Sequence, residues 1–324
     1  MSGANRLSAF GRSNSWLAGV DATYQTSRFR GDKSFLAGVW GLATRRADLT
    51  SGDRTAAGVK IDYPNDLWDI AFTYQRVGDH FDPSLGFVPR VGIQNFRLSA
   101  NFQPRPKRWN IRQVFLEQSL QVVTGLHGPW QSYRYFLAPV NWRFESGDRL
   151  EYNFVPTGEQ LTAPFEVSDG VLIAPGAYHW RRQRFEVETA SKRRLKAQIT
   201  WWTGGFYNGT LDQVMVAAAW NPTALVTAEI SAEHDIGRLP AGRFVSDVLG
   251  GRVRLNVSSD LQAQSYVQYD TSSHSVGLNT RFRWTFRPQG DLFVIYNHNI
   301  RDLEDRWRLE SNQLLFKCQF AFRR

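Results

Sequence analysis

Between Ser275 and Phe286 the chain alternates without a break. Val276, Leu278, Thr280, Phe282, Trp284 and Phe286 form one set; Ser275, Gly277, Asn279, Arg281, Arg283 and Thr285 form the other. Successive side chains of an extended strand point to opposite faces, so this segment has a greasy face and a basic face. The same period recurs elsewhere. Ala57, Val59, Ile61 and Tyr63 alternate with Gly58, Lys60 and Asp62, and Phe96, Leu98, Ala100 and Phe102 with Arg97, Ser99 and Asn101. Leu195, Ala197, Ile199 and Trp201 alternate with Lys196, Gln198 and Thr200, Val253, Leu255 and Val257 with Arg252, Arg254 and Asn256, and Leu314, Phe316, Cys318, Phe320 and Phe322 with Leu315, Lys317, Gln319 and Ala321. Helical period is not sustained beyond two turns anywhere. The pattern predicts seventeen strands, near 16–25, 34–43, 54–63, 67–76, 94–103, 108–124, 131–145, 148–156, 178–190, 193–203, 210–220, 224–234, 244–257, 260–270, 275–286, 291–299 and 311–322.

The connectors differ by end. YPNDL (63–67), QPRPKR (103–108), ESGDR (145–149), ASKRR (190–194), NPTA (221–224), SSDL (258–261) and RPQGD (287–291) are tight. The alternate links 76–93, 156–177, 235–243 and 300–310 are longer. Short turns at one end and long loops at the other are the pattern of an outer-membrane β-barrel. The expected fold class is therefore all-β, an antiparallel up-and-down transmembrane barrel. If the last strand ends in the periplasm, the strand at 16–25 runs downward, and at least one strand is expected upstream of the seventeen. Residues 1–15 are read as a disordered or linker start and 16–324 as the barrel, incomplete on its N-terminal side. The start MSGANRLSAFGRSNS has no apolar core of a secretion signal, and the chain is expected to be the C-terminal part of a larger protein. The apolar link 156–177 is expected to fold over or into the barrel mouth.

Composition agrees with strands rather than helices as the spanning element. No run of 18 apolar residues exists, while aromatic residues reach 14%, with 12 Trp. Tyr63, Phe102, Trp142, Phe144, Trp220, Trp284, Phe286 and Phe322 fall near the short-turn end, and Tyr74, Trp201 and Tyr269 near the other, as aromatic girdles would. The formal net charge is +9, but the basic residues recur singly or in pairs along strands, which argues against a nucleic-acid patch. An arginine at mid-membrane on a lipid-facing surface costs roughly 2–4 kcal/mol, so the charged set belongs to the lumen. The candidate binding residues are accordingly Arg184, Glu186, Glu188, Lys196, Arg252, Arg254, Arg281 and Arg283.

Candidate chemistry is sparse. A single cysteine, Cys318, excludes an internal disulfide and a cysteine-based zinc site; it belongs to the apolar set. Nucleophile elbows, phosphate-binding glycine loops and dinucleotide fingerprints are absent. Glu186 and Glu188 share a face, as paired catalytic carboxylates can, but balancing Arg184 and Lys196 is the plainer reading. His80, His127, His179, His234, His274 and His298 all fall at the long-link end, without metal-type spacing. No catalytic residue, metal or cofactor is expected.

Four segments, GDHFDPSLGFVPRVGI (78–93), APFEVSDGVLIAPGAYHW (163–180), SYVQYDTSSHSVGLNTRFRWTFRPQGDLFVIYNHN (265–299) and QLLFKCQFAF (313–322), resemble the barrel domain of the bacterial family called domain of unknown function 5916. The third, with Tyr266, Tyr269, Arg281, Arg283, Trp284, Arg287, Asp291, Leu292, Phe293 and Tyr296, carries most of the likeness, and Gly86 to Arg90 adds to it. The resemblance implies a Gram-negative outer-membrane protein that lacks here the carbohydrate-binding-like domain usually preceding the barrel. It assigns no catalytic residues. The partners implied are the lipid bilayer and the barrel-insertion machinery, with no nucleic acid. The expected function is non-enzymatic and porin-like, passing or binding anionic or carbohydrate solutes through a basic lumen. A soluble basic all-β binder of polyanions is the alternative, and a hydrolase within a barrel the third reading.

Overall fold

A computed structural model describes residues 2–8, 11–46, 51–84, 86–304 and 306–321, with backbone alone at 2–8, 11–14 and 46. No helix occurs among the described residues. The strands are β1 (Ser2–Ser8), β2 (Gly11–Phe29), β3 (Lys33–Arg46), β4 (Thr55–Pro64), β5 (Trp68–Val77), β6 (Ile93–Phe102), β7 (Ile111–Val114), β8 (Leu116–Gly125), β9 (Trp130–Phe144), β10 (Arg149–Leu161), β11 (Phe165–Ser168), β12 (Val171–Ile173), β13 (Gly176–Glu188), β14 (Leu195–Phe206), β15 (Gly209–Trp220), β16 (Val226–Leu239), β17 (Gly242–Asn256), β18 (Leu261–Asp270), β19 (Ser275–Arg287), β20 (Gly290–Leu303) and β21 (Arg306–Phe320). Among them β11 and β12 form a separate pair, and the other nineteen belong to one sheet. Its ladders are antiparallel and follow chain order, an up-and-down meander. β7 and β8 share one row, because both pair with β9.

The seventeen predicted segments correspond to β2 to β6, the β7–β8 row, β9, β10 and β13 to β21. β1 is additional. Residues 1–15, expected as a linker, hold β1 and the start of β2, in register from Ser2↔Leu17 to Ser8↔Gly11. Main-chain pairing makes this hairpin, and a segment with so few apolar residues leaves no side-chain period to read.

Three of the four long links also differ from expectation. β16 continues to Leu239 and turns directly into β17, with Leu239 opposite Gly242. β20 and β21 likewise pair as far as Leu303↔Arg306. The region 156–177 contains the rest of β10 and the β11–β12 hairpin. The two ends therefore differ by polar strand extension more than by loop length. Such hairpins need only the backbone ladder, so their irregular side-chain pattern conceals them.

The chain divides into two compact units, one of residues 1–142, 152–165 and 172–182, the other of 143–151, 166–171 and 183–324. In the first unit one face is a row of Val39, Val59, Tyr74, Phe96, Val122 and Tyr133, flanked by Ile61, Phe72, Leu98 and Leu120. Val39, Ile61, Phe96, Leu98 and Leu120 are solvent-exposed. The opposite face carries Lys60, Thr73, Arg97, Gln121 and Arg134 in one row. Lys60 bonds Asp62 at 2.8 Å, and Arg97 donates to Gln121 at 3.2 Å.

Toward the 78–92 link this second face turns apolar. Ala56, Val77, Ile93 and Val123 are buried there with Phe81 of the link, and Leu17, Trp40, Leu42 and Val88 pack around them. The link is tied down by its backbone, with the Gly78 and His80 amides donating to the Thr55 and Asp53 carbonyls at 2.8 and 2.9 Å. Trp40 lies across Gly58, where any Cβ would stand 2.5 Å from the indole. A side chain there would displace the ring that closes the cluster.

In the same unit Trp130, Tyr133 and His179 group at the edge of the apolar face, with the Tyr133 hydroxyl 3.1 Å from His179 Nδ1. His80 and His127 lie in links at that end. In the second unit His234, His274 and His298 all lie at the end opposite the turns 221–225, 257–260 and 288–289. The topological expectation for the histidines thus holds within each unit, and no three-residue metal-binding group occurs among the described residues.

Phe81 is 5% exposed and Phe87, six residues on, is 89% exposed. Phe81→Ala should remove about 3–5 kcal/mol of local packing and open the 78–92 link to limited proteolysis. Phe87→Ala should leave the cleavage rate unchanged. Equal rates in both variants would contradict the packed link.

Candidate functional site: the charged face of the second unit

The second unit separates its faces across consecutive ladders. One face carries the row Ile199, Val216, Ala232, Leu249, Tyr269, Val276 and Ile300. Another row is Val226, Leu255, Ala263, Phe282, Val294 and Phe316. Val253, Leu255, Phe282, Trp284, Phe316 and Phe320 are all exposed, Phe316 at 70%. Val276 and Leu278 share this face and are partly covered. Trp220, Trp284 and Phe286 are exposed near the short turns and Trp201 toward the other end. Cys318, a free and exposed thiol, pairs with Leu292 on the same face; Phe322 lies outside the described residues.

All eight candidate residues stand on the opposite face. Register aligns Lys196, Ala219, Glu229, Arg252, Tyr266, Asn279, Asn297 and Gln313 in one row. The next row holds Thr227, Arg254, Gln264 and Arg281, and the one after it Asn256, Gln262, Arg283, Phe293 and Lys317. Arg184, Glu186 and Glu188 join this face from β13, since Thr200 of β14 donates to Glu186 at 2.8 Å.

Two charge clusters result. In the first, Glu151 and Glu186 are 2% and 1% exposed and are held by Arg149 and Arg184. Arg184 also reaches Glu151 at 3.2 Å, Arg149 reaches Glu186 at 3.3 Å and Glu188 at 3.6 Å, and Arg184 stacks over Trp202 at 5.7 Å. Each buried carboxylate is thus met by two guanidiniums, which offsets the cost of its burial. The expected balance of Glu186 by Arg184 is present. Lys196 does not complete the pair with Glu188; Arg149 takes that place. Arg149 and Glu151 were not legible as members because only the β9–β10 turn carries them next to β13.

Lys196 instead lines a cleft of about 320 Å³ with Glu188, Glu229, Arg252 and Tyr266, floored by Ala217, Ala219 and Gly250. A Cβ on Gly250 would meet Ser231 Oγ at 2.5 Å, so glycine keeps that floor low. In the second cluster Arg252 bonds Glu229 at 3.1 Å and stacks on Tyr266 at 4.9 Å, and Arg254 approaches Glu229 at 3.8 Å. Arg283 donates to Asp291 at 3.0 Å. Phe293, 7% exposed, has Arg281 over its ring at 4.6 Å, with Arg283 and Lys317 each at 5.9 Å. The alternation of β20 conceals this phenylalanine, because it sits among charges on the polar face. No protein-family model matches the chain, and no curated protein matches it either.

Arg184→Ala would leave Glu151 and Glu186 buried without enough positive charge. It should cost about 3–5 kcal/mol, read as a lowered urea midpoint. Arg252→Ala, at a far more open site, should cost under about 1 kcal/mol; equal losses would contradict the division into two clusters. A third expectation concerns the β9–β10 turn. The Ser146 hydroxyl, the Ala190 amide and Arg193 hold the Asp148 carboxyl below its ordinary value of 3.8. A lowered carboxyl stabilises the fold above that value and loses this contribution as pH falls through the lowered one. Asp148→Asn should therefore weaken the protein at neutral pH and flatten the acid limb of its stability profile. An unchanged acid limb would contradict the assignment.

Proposed function

We propose that this protein is a Gram-negative outer-membrane β-barrel whose exposed apolar face meets lipid and whose charged face lines an aqueous path for small anionic solutes. The observation that carries the reading is the exposed face itself. Ile230, Val253, Val267, Phe282, Trp284 and Phe316 share it on β16 to β19 and β21, and Ile230 is 67% exposed. A water-soluble protein rarely leaves an apolar surface of this extent uncovered, which weighs against the soluble polyanion binder. The dimension also suits a bilayer. The outward set from Val276 to Phe286 covers roughly 33 Å of strand at about 3.3 Å per residue. Tilted by about 40°, it spans roughly 25 Å, the height of an outer-membrane apolar band. The resemblance to domain of unknown function 5916 points the same way and rests on the four quoted segments.

The role is non-enzymatic in this reading, because the buried carboxylates are engaged by ion pairs. Arginines on the inner wall favour anions, as basic rings do in anion-selective pores. Expressed with a secretion signal, the protein should pellet with envelope membranes and be released by detergent but not by high salt. In planar bilayers it should conduct with anion preference, and Arg252→Gln, Arg254→Gln, Arg281→Gln and Arg283→Gln together should remove that preference while the channel stays open. Release by salt alone would overturn the membrane assignment, and unchanged selectivity would overturn the role of the arginines.

A further inference from the structure

We infer that the charged face of β17 to β21 is a binding site for phosphate monoesters of hydroxylated compounds, with the phosphate among Arg254, Arg281 and Arg283 and the hydroxyls on an adjoining row of amides. The inference rests on the solute-path reading of the same face and names what would pause on it.

The arginines surround a hollow of about 180 Å³ whose other walls are Gln262, Ala263 and Gln264. Register explains the convergence. Arg254 and Arg281 flank Gln264 on one row, and Arg283 stands beside Gln262 on the next. Three guanidiniums thus approach one space from two strands on either side of β18. Two carboxylates, Glu229 and Asp291, stand near the three arginines and engage them only in part. Glu229 is closer to Arg252, at 3.1 Å, than to Arg254, at 3.8 Å. Asp291 engages Arg283 through Nε, which leaves the terminal nitrogens of that guanidinium. Arg281 rests on the Phe293 ring. That ring, buried and shared with Arg283 and Lys317, holds like charges together before any ligand arrives.

The geometry selects among anions. A carboxylate presents two coplanar oxygens, which one arginine fork saturates. A phosphate monoester presents three oxygens in three dimensions and carries about −1.5 to −2 charge near neutral pH. It can use several forks from different directions, together with the glutamine amides. Chloride offers no directional acceptors for them.

The row beside the arginines supplies the rest. Tyr266, Asn279, Asn297 and Gln313 border a second hollow of about 430 Å³. Asn279 donates to Asn297 at 2.5 Å, and Tyr266 to Gln268 at 2.9 Å. Amides both donate and accept, the combination that hydroxyl groups require. Same-face rows are two residues, about 7 Å, apart along a strand, the distance from a phosphorus atom to the far hydroxyls of a hexose.

Calorimetric titration of the protein in detergent micelles, at fixed ionic strength, tests this with inorganic phosphate, glucose 6-phosphate, glucose and chloride. Phosphate should bind, and glucose 6-phosphate should bind roughly tenfold more tightly. Glucose and chloride should give no saturable heat. Arg254→Gln with Arg281→Gln should weaken phosphate by at least about tenfold, the loss of one charge-assisted contact. Asn279→Ala with Asn297→Ala should erase the advantage of the sugar phosphate and leave inorganic phosphate unchanged, which also shows that the variant is folded. Equal affinity for phosphate and chloride, or wild-type phosphate affinity in the arginine variant, would overturn the site. Anion-selective conductance without saturable phosphate binding would sink this inference and spare the channel. Phosphate binding by a protein that salt strips from membranes would do the reverse.

Discussion

A strand in an antiparallel sheet satisfies its backbone sideways and therefore has two faces free to differ. Everything else in this protein follows from how fully the two faces are segregated. The ladders from β14 to β21 shift register only near the ends of β19 and β20, so rows such as Val226, Leu255, Ala263, Phe282, Val294 and Phe316 stay on one face and Lys196, Glu229, Arg252 and Tyr266 on the other. A slip of one residue in any ladder would exchange the faces of that strand. It would set Arg252 beside Ile230 and Val267, or Arg281 beside Ala263 and Val294, and break several ion pairs at once. The register is held by side-chain pairs on the polar face and, in the proposed bilayer, by the cost of a charge on the apolar one.

Segregation has consequences on the polar face itself. Carboxylates from β10 and β13, Glu151 and Glu186, are buried against Arg149 and Arg184. Arginines with fewer carboxylates in reach also rest on aromatic rings, Arg252 on Tyr266 beside its bond to Glu229 and Arg281 on Phe293. The first arrangement ties Arg149 and Glu151 to Arg184, Glu186 and Thr200. The second keeps positive charge available. One sheet face thereby holds a rigid ion-pair cluster and a basic surface side by side.

Much of this was legible in the sequence, and for a definite reason. Period two is a local signal, so the strands from 54 onward and the facing of Arg252, Arg254, Arg281 and Arg283 could be read from a few residues each. What escaped notice depends on contacts between distant segments or on backbone alone. β1 and the extended hairpins at 235–243 and 300–310 are held by main-chain bonds under irregular side chains. Phe81 reads as one more loop aromatic until the 78–92 link folds back over Ala56 and Val77. Arg149 joins Glu186 only because a tight turn at 145–148 returns β10 toward β13. Phe293 breaks the polar pattern of its face, and its meaning appears only when Arg281, Arg283 and Lys317 surround it.

The central claim is that the two faces meet two solvents. Single nitroxide labels in a Cys318→Ser background, with the protein in lipid vesicles, test it residue by residue along β17 to β19. Labels at 253, 267 and 282 should collide with dissolved oxygen and be shielded from a water-soluble nickel complex, and labels at 252, 264 and 279 should show the reverse. A nickel response that is equal on both sets, or strongest at 253, 267 and 282, would contradict the account.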